Sequence, residues 1–398
     1  MPVQAPVFRN RPRLARTIAL ARALADSPEA QAIRASLPPS FFVLAAALVV
    51  FLLIEPGDTF LERFARSFSP AFGAMSLALV VGLAWDLAAR RRVPRVLAAL
   101  VALAVFAISL PYAGGRDAVA LLAATGSSGL FLAIISAFAT VAALAAGRGR
   151  LGARAGFSLA ALAIVGLASA LALAGVSLTV ALDRAIAPLG TLGDSLAALL
   201  AITLVETLLW TVGIHGPALL AAVVFPLYAH LQLQNTAALA HGAPLPHIVT
   251  VSLFLFVFPG GAGATLPLVL LLLRSRVRRM RRIGLAALPA ALVNVNEPLM
   301  FGLPLVLNPV LGIPFVLVPL VLATISYEAV ALGWVARPAY YIPSLVPFPI
   351  NAFLATRDWR SLVLGIVDLA IGLAIYTPFF ARYEAQELRR ETPAETAA

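Results

Sequence analysis

The sequence predicts an all-α, polytopic integral membrane protein with about ten transmembrane helices plus re-entrant hairpins. Three observations carry that expectation. Of 398 residues, 61% are hydrophobic and only 12% charged, against about half and about a quarter in soluble domains. The apolar residues gather into runs near the roughly 20 that cross a bilayer. In the first half an arginine cluster follows every second run, the alternation that the positive-inside rule requires. The shortage of charge excludes an ordinary soluble enzyme. The basic excess is 29 residues against 18 acidic ones, every one of the 29 an arginine, and it belongs to cytoplasmic loops rather than to nucleic-acid binding. There is no cysteine, hence no disulfide framework or thiolate site. The four histidines lack a paired ligand spacing, so neither a metal nor another cofactor is expected.

Residues 1–36 are polar and arginine-rich. Their apolar positions Leu14, Ile18, Leu24 and Ile33 are too interrupted for the core of a signal peptide. Two interfacial helices are expected there, with Ser27 as a cap ahead of Pro28. Spans follow at 37–54, 71–87, 96–110, 130–146 and 157–182, with acidic Glu55, Asp58 and Glu62 after the first. Clusters at Arg90, Arg91, Arg92 and Arg95, at Arg148, Arg150 and Arg154, in 274–282 and in the tail from Arg382 place both termini in the cytoplasm. In the second half, 196–214, 217–231, 249–273 and 362–380 are good apolar segments. Residues 283–360 are cut repeatedly, with Pro298, Pro304, Pro309, Pro314 and Pro319 five or six residues apart. Each interior proline removes a backbone donor. Such backbone survives at membrane depth only where it is buried in protein or lines a wet cavity, and transporters place binding sites on discontinuous segments. Simple kinking of packed helices is the other reading of any one proline.

Ionisable groups at membrane depth are the sharpest signals, since a central acid costs about 2.5–3.5 kcal/mol on insertion scales. Glu297 sits between Asn294, Asn296 and Pro298. A carboxylate beside two amides suits sugar hydroxyls, because the acid accepts while the amides donate and accept; a structural cap of a broken helix is the alternative. His215 ends an apolar run between Gly213 and Gly216, which let the chain turn and expose the imidazole, or it snorkels at the interface beside Trp210. The glycine-rich 259–265 run lacks the Gly-Lys-Ser/Thr ending of a phosphate loop. It reads as a re-entrant turn or a close contact between small residues, one whose glycines bring backbone amides against a ligand. Glu206, Glu328 and Asp368 lie in or near apolar segments, as proton relays, interfacial groups or partners of arginines. Asp86 reads as a neighbour of the Arg90 cluster. His230, His241 and His247 fall in a loop-like region with structural roles. The 274–282 arginines serve orientation and lipid headgroups, with docking of an acidic partner as a second reading.

These residues carry a resemblance. Residues 294–309, NVNEPLMFGLPLVLNP, resemble the signature of the enzyme IIC permeases of the bacterial phosphotransferase system, in the lactose, cellobiose and diacetylchitobiose branch. WTVGIHG at 210–216, GGAGAT at 260–265 and PFPINAFLATRDW at 347–359 match in order and approximate spacing. Weaker similarity runs through SPEAQAIRASLPPS at 27–40 and TGSSGLFLA at 125–133. The resemblance covers most of the chain. It implies a homodimer with a glucose-superfamily IIC-like fold in a bacterial plasma membrane. Residues 37–190 would form the dimerisation scaffold, 191–382 the sugar-binding half with re-entrant hairpins, and 383–398 a cytoplasmic tail. It also implies that Glu297 and His215 lie near the sugar hydroxyl to be phosphorylated, with Asn296, Asn294 and the backbone at Gly261 around them.

The implied partners are a β-linked disaccharide, membrane lipids and an enzyme IIB whose phosphocysteine phosphorylates the sugar, with IIA, HPr and enzyme I upstream. No catalysis by this chain alone is expected, and without a cysteine the IIB partner is expected to be a separate protein. Two further departures bear on the identity of the sugar. Ala262 stands where relatives often carry serine, and Glu328 is an acid where the pattern is usually apolar. The alternatives are a proton-coupled secondary transporter using Glu297, Glu206 or Glu328, and a sugar sensor that moves nothing.

Overall fold

The computed structural model describes Ala23 and residues 26–54, 60–110, 118–125, 128–148, 153–306, 308–344 and 346–395. Among the described residues the regular structure is helical, which lets backbone in hydrocarbon satisfy its own donors and acceptors. The chain divides into two compact units, residues 1–186 and 187–398.

The first unit contains α1 (Pro28–Ile54), α2 (Phe60–Arg91), α3 (Arg95–Ile108), α4 (Ala118–Thr125), α5 (Ser128–Gly147) and α6 (Ala153–Leu173). Ser27 caps α1, its Oγ accepting from the Ala30 N–H at 3.2 Å. The helix then continues through Pro38 and Pro39. The second expected interfacial helix and the first span are therefore one element, because two lost donors do not stop 27 residues of otherwise helix-forming sequence. The first interfacial helix, around Leu14 and Ile18, lies outside the described residues, as do Leu24, Glu55, Asp58 and Arg150. Helix α1 packs along α2, which also receives α3, α4 and α5. Asp86 accepts from Ser36 Oγ of α1 at 3.1 Å, so a hydroxyl rather than an arginine is its hydrogen-bond partner. Arg91 pairs with Glu29, Arg90 with Gln31, and Arg148 donates to the carbonyls of Arg91 and Arg92. The arginines that end α2 and α5 thus share one end of the unit.

The span expected at 157–182 stops early. Gly175 is left-handed, with φ +72°, and Val176 N–H closes on Leu171 O at 2.9 Å, which ends α6. A new helix, α7 (Leu178–Gly193), carries the boundary between the units.

The second unit continues with α8 (Leu196–Thr211), α9 (Gly216–Ala240), a 3-10 turn (Val251–Leu253), α10 (Phe254–Val257), α11 (Leu266–Leu273), α12 (Arg278–Leu292), α13 (Glu297–Gly302), α14 (Pro309–Ala331), α15 (Ile350–Thr356) and α16 (Arg360–Glu395). Within the apolar 249–273 segment, positive φ at Gly260, Gly261 and Gly263 makes the glycine run a turn between α10 and α11, as its glycines led one to expect. The proline-rich 283–360 segment contains an unbroken 23-residue helix, α14, with Pro309 at its start and Pro314 and Pro319 inside. Asn308 Oδ1 caps it, accepting from the Val310 and Leu311 N–H groups at 2.9 and 3.1 Å. Helix α14 packs against α8, α10 and α16, while α11 packs against α12 and α16. Six helices among the described residues, α1, α2, α5, α6, α14 and α16, are long and apolar enough to cross a membrane, with α3 and α8 shorter.

His230 stands within α9 rather than in a loop, because that helix runs on to Ala240. His247 belongs to a polar clamp. Its Nδ1 lies 3.0 Å from Asp194 Oδ2, and Asp194 Oδ1 accepts from the Ile248 and Val249 N–H groups at 2.9 and 2.7 Å. Asn235 holds the same loop from α9, exchanging hydrogen bonds with the His247 backbone at 2.9 and 2.8 Å.

Candidate functional site

Two helices end in the same way and deliver the site. At the end of α8, the N–H of left-handed Gly213 (φ +81°) bonds Trp210 O at 3.0 Å and that of Ile214 bonds Leu209 O at 2.8 Å. This is the Schellman pattern. At the end of α12, Asn294 (φ +60°) takes the glycine's place, bonding Ala291 O at 3.1 Å while Val295 bonds Ala290 O at 2.9 Å. Asparagine is among the few other residues that accept this conformation. Beyond each turn the chain presents an ionisable side chain. His215 Nε2 and Glu297 Oε1 meet at 3.4 Å across 82 residues of sequence. Their side chains are 34% and 41% exposed, so the pair opens outward. His215 also lies against Trp210, with ring centroids 4.5 Å apart. A Cβ at Gly216 would stand 2.2 Å from Glu206 O, so only glycine lets α9 start this close to α8.

The glycine-rich turn is fastened to this loop by the two amides. Asn294 Oδ1 accepts from the Gly260 N–H at 2.9 Å and its Nδ2 donates to Ser344 O at 2.6 Å. Asn296, 4% exposed, donates to Ala262 O at 2.7 Å. Gly261 donates its N–H to Phe258 O and accepts from Ala264, both at 2.9 Å, so its backbone groups are engaged inside the turn. What Gly261 offers the site is the lack of a side chain beside Asn296. Glu297, His215, Asn294, Asn296 and Gly261 are thus brought together.

Two residues that support this turn were not singled out in the sequence. Phe315 of α14 lies under Gly263, and Tyr376 of α16 donates to Gly263 O at 2.7 Å. The available signal was a tyrosine in an apolar span, whose hydroxyl needs an acceptor when buried. The other intramembrane acids stand apart from the pair's hydrogen bonds. Glu206 is buried in α8, Asp368 is buried and accepts from Ser326 Oγ at 3.3 Å, and Glu328 is exposed. Among the described residues none of these three forms an ion pair, and no cluster of three His, Asp or Glu side chains forms a metal-ligand set. A carboxylate and an imidazole, both partly exposed, form hydrogen-bonding chemistry suited to a polyol.

The profile of the family "Phosphotransferase system, EIIC" matches residues 35–319. The lichenan permease IIC component of Bacillus subtilis (strain 168) is 31% identical over 89% of this chain and 87% of its own length. The cellobiose-specific EIIC component of Geobacillus stearothermophilus is 31% identical over 94% of each. With two other Bacillus subtilis relatives the match spans about half of the relative, 48% and 47%. Among solved structures, the crystal structure of ChbC, the IIC component from the N,N'-diacetylchitobiose-specific phosphotransferase system, has the same fold: TM-score 0.79 and 24% identity, covering 94% of this chain and 98% of that one. An integral membrane protein with this profile match and these near full-length relatives belongs to the phosphotransferase system EIIC family.

Proposed function

We propose that the chain is the membrane-embedded sugar permease of a phosphotransferase system. It binds a β-linked disaccharide from outside the cell and carries it to the cytoplasmic face for phosphorylation by a separate enzyme IIB, itself charged through IIA, HPr and enzyme I. The observation that carries this reading is the 3.4 Å meeting of His215 and Glu297, on turns fastened by Asn294 and Asn296. Relatives named for lichenan, cellobiose and lactose support the substrate class.

In this reading Glu297 accepts a hydrogen bond from the hydroxyl to be phosphorylated and His215 orients that hydroxyl. Asn296, Asn294 and Gly261 shape the wall. As the sugar oxygen attacks the phosphocysteine, the O–P bond forms and the S–P bond breaks. The hydroxyl proton passes to the carboxylate or the imidazole, and the cysteine of enzyme IIB leaves as a thiolate. The first unit serves as the scaffold of a homodimer and the second moves the sugar. The exposed apolar side chains of α6, such as Leu162 and Leu173, then face lipid or the second copy. Both termini lie in the cytoplasm of a bacterial cell, the side to which the arginine clusters point.

The test is uptake of labelled cellobiose, diacetylchitobiose and lactose into vesicles containing the soluble phosphoryl-transfer proteins, with and without phosphoenolpyruvate. Sugar phosphate accumulating only with the donor is the expected result. Unmodified sugar that accumulates without it and collapses with the proton gradient would sink the reading. Glu297→Gln is expected to abolish sugar binding and leave the unfolding temperature unchanged.

A further inference from the structure

The arginine-rich start of α12 has no part in the sugar site. Arg274, Arg276, Arg278, Arg279, Arg281 and Arg282 fall within nine residues and all are exposed. Among the described residues none of the six forms an ion pair. The acid that reaches this turn, Glu384 of α16, accepts instead from Ser275 Oγ at 2.6 Å and the Arg276 backbone N–H at 2.8 Å. The first turn of α12 contains no acid, so its arginines stand at the positive end of the helix dipole without a counterion. Where a chain breaks a local rule with no internal compensation, an external partner is the physical expectation.

Two features define that partner. Arg278, Arg279 and Arg282 line a groove floored by Ile283 and Ala286, and guanidinium forks match phosphate oxygens. Further along the same helix the exposed residues turn apolar, with Leu285 57% and Leu292 40% exposed, while Met280, Gly284, Ala287 and Ala291 form the buried stripe. Charge at the start and bare leucines at the end suit a helix that begins among headgroups and slopes toward acyl chains. An acidic soluble protein would complement the arginines and leave the leucines in water.

We propose that Arg278, Arg279 and Arg282 hold the headgroup phosphate of an anionic phospholipid. The lipid fixes the start of α12 and thereby the loop 294–297 at its other end. The headgroup site stands on the charges and the groove. Its coupling to the loop is read through sugar affinity and so rests on the function proposed above.

The test uses the full chain in nanodiscs of phosphatidylcholine with or without phosphatidylglycerol. The triple variant Arg278→Gln, Arg279→Gln, Arg282→Gln is compared with a charge-matched control in the first unit, Arg92→Gln, Arg154→Gln, Arg184→Gln. Retention of phosphatidylglycerol is followed by native mass spectrometry. Wild type and control are expected to keep the lipid, and the triple variant to hold it about a hundredfold more weakly. If the triple variant does not fold, Arg282→Gln alone, expected to lose about fivefold, carries the test. Cellobiose is expected to bind wild type several-fold more tightly in the anionic discs and the triple variant equally weakly in both. Equal lipid retention by triple variant and control overturns the site. So does inorganic phosphate that displaces the lipid, which would mark a free-anion site, or loss of enzyme IIB capture with lipid retention intact, which would mark a protein dock. Retention that falls while sugar affinity ignores the lipid overturns the coupling alone. Absence of cellobiose binding in every disc counts against the sugar reading and leaves the headgroup site standing.

Discussion

Gly263 is a position where the site tolerates little change. It is left-handed, with φ +84°, and a Cβ there would lie 2.1 Å from the Phe315 ring. Gly263→Ala therefore combines backbone strain with overpacking and is expected to cost about 2–4 kcal/mol. The measurement is the unfolding midpoint in detergent, and Phe315→Ala added to Gly263→Ala should recover the steric part while the strain remains. At this scale the sequence was half legible. Glu297 stood out because a carboxylate between two amides in an apolar chain is costly to keep. Its meeting with His215 follows no helical or strand period, since it depends on how two helix ends are placed. The amides themselves were read as ligand groups, whereas Asn294 spends both ends of its side chain on Gly260 and Ser344.

Among the elements, the clamp between the α7–α8 turn and the loop before the 3-10 turn has a pH dependence of known sign. Burial of Asp194 disfavours its charge, but His247 and the N–H groups of Val249 and Ile248 outweigh it and hold the carboxyl below its ordinary value. A depressed carboxyl stabilises the fold above its unfolded value of about 3.9, and that stabilisation is lost as pH falls through the folded value. Asp194→Asn is therefore expected to be less stable by about 1–3 kcal/mol at neutral pH. The gap to wild type should close as the unfolding midpoint is followed below about pH 4; a gap that persists there would remove Asp194 as its source. Helices were legible wherever apolar length alone decided them, as in α3 and α5. Within residues 249–273 the turn was legible from its glycines and not from hydropathy, which registers the apolar side chains and is blind to three glycines with positive φ. Pro314 and Pro319 misled, because α14 continues through both missing donors without ending.

For the whole molecule, the first testable consequence is orientation. Helix α6 has 21 residues, about 31 Å at 1.5 Å per residue, enough for a hydrocarbon core of about 30 Å. Arg154 and Ala174 stand near its two ends, and the chain has no cysteine of its own. Arg154→Cys and Ala174→Cys can then be labelled singly in intact cells with an impermeant maleimide. Position 174 should react and position 154 should not; the reverse pattern would invert the topology. The unit boundary at 186/187 was not visible as a linker, since it falls inside α7 with no change in composition. The paired helix ends of the second unit have a final consequence. His215 is carried by α8, which packs on α14, and Glu297 follows α12, which packs on α11. A slip of one helix by a single turn moves its end about 5.4 Å, more than the whole 3.4 Å separation. A one-turn slip of either helix would therefore part His215 from Glu297 completely, so a sliding motion would be read out as the loss of this one contact.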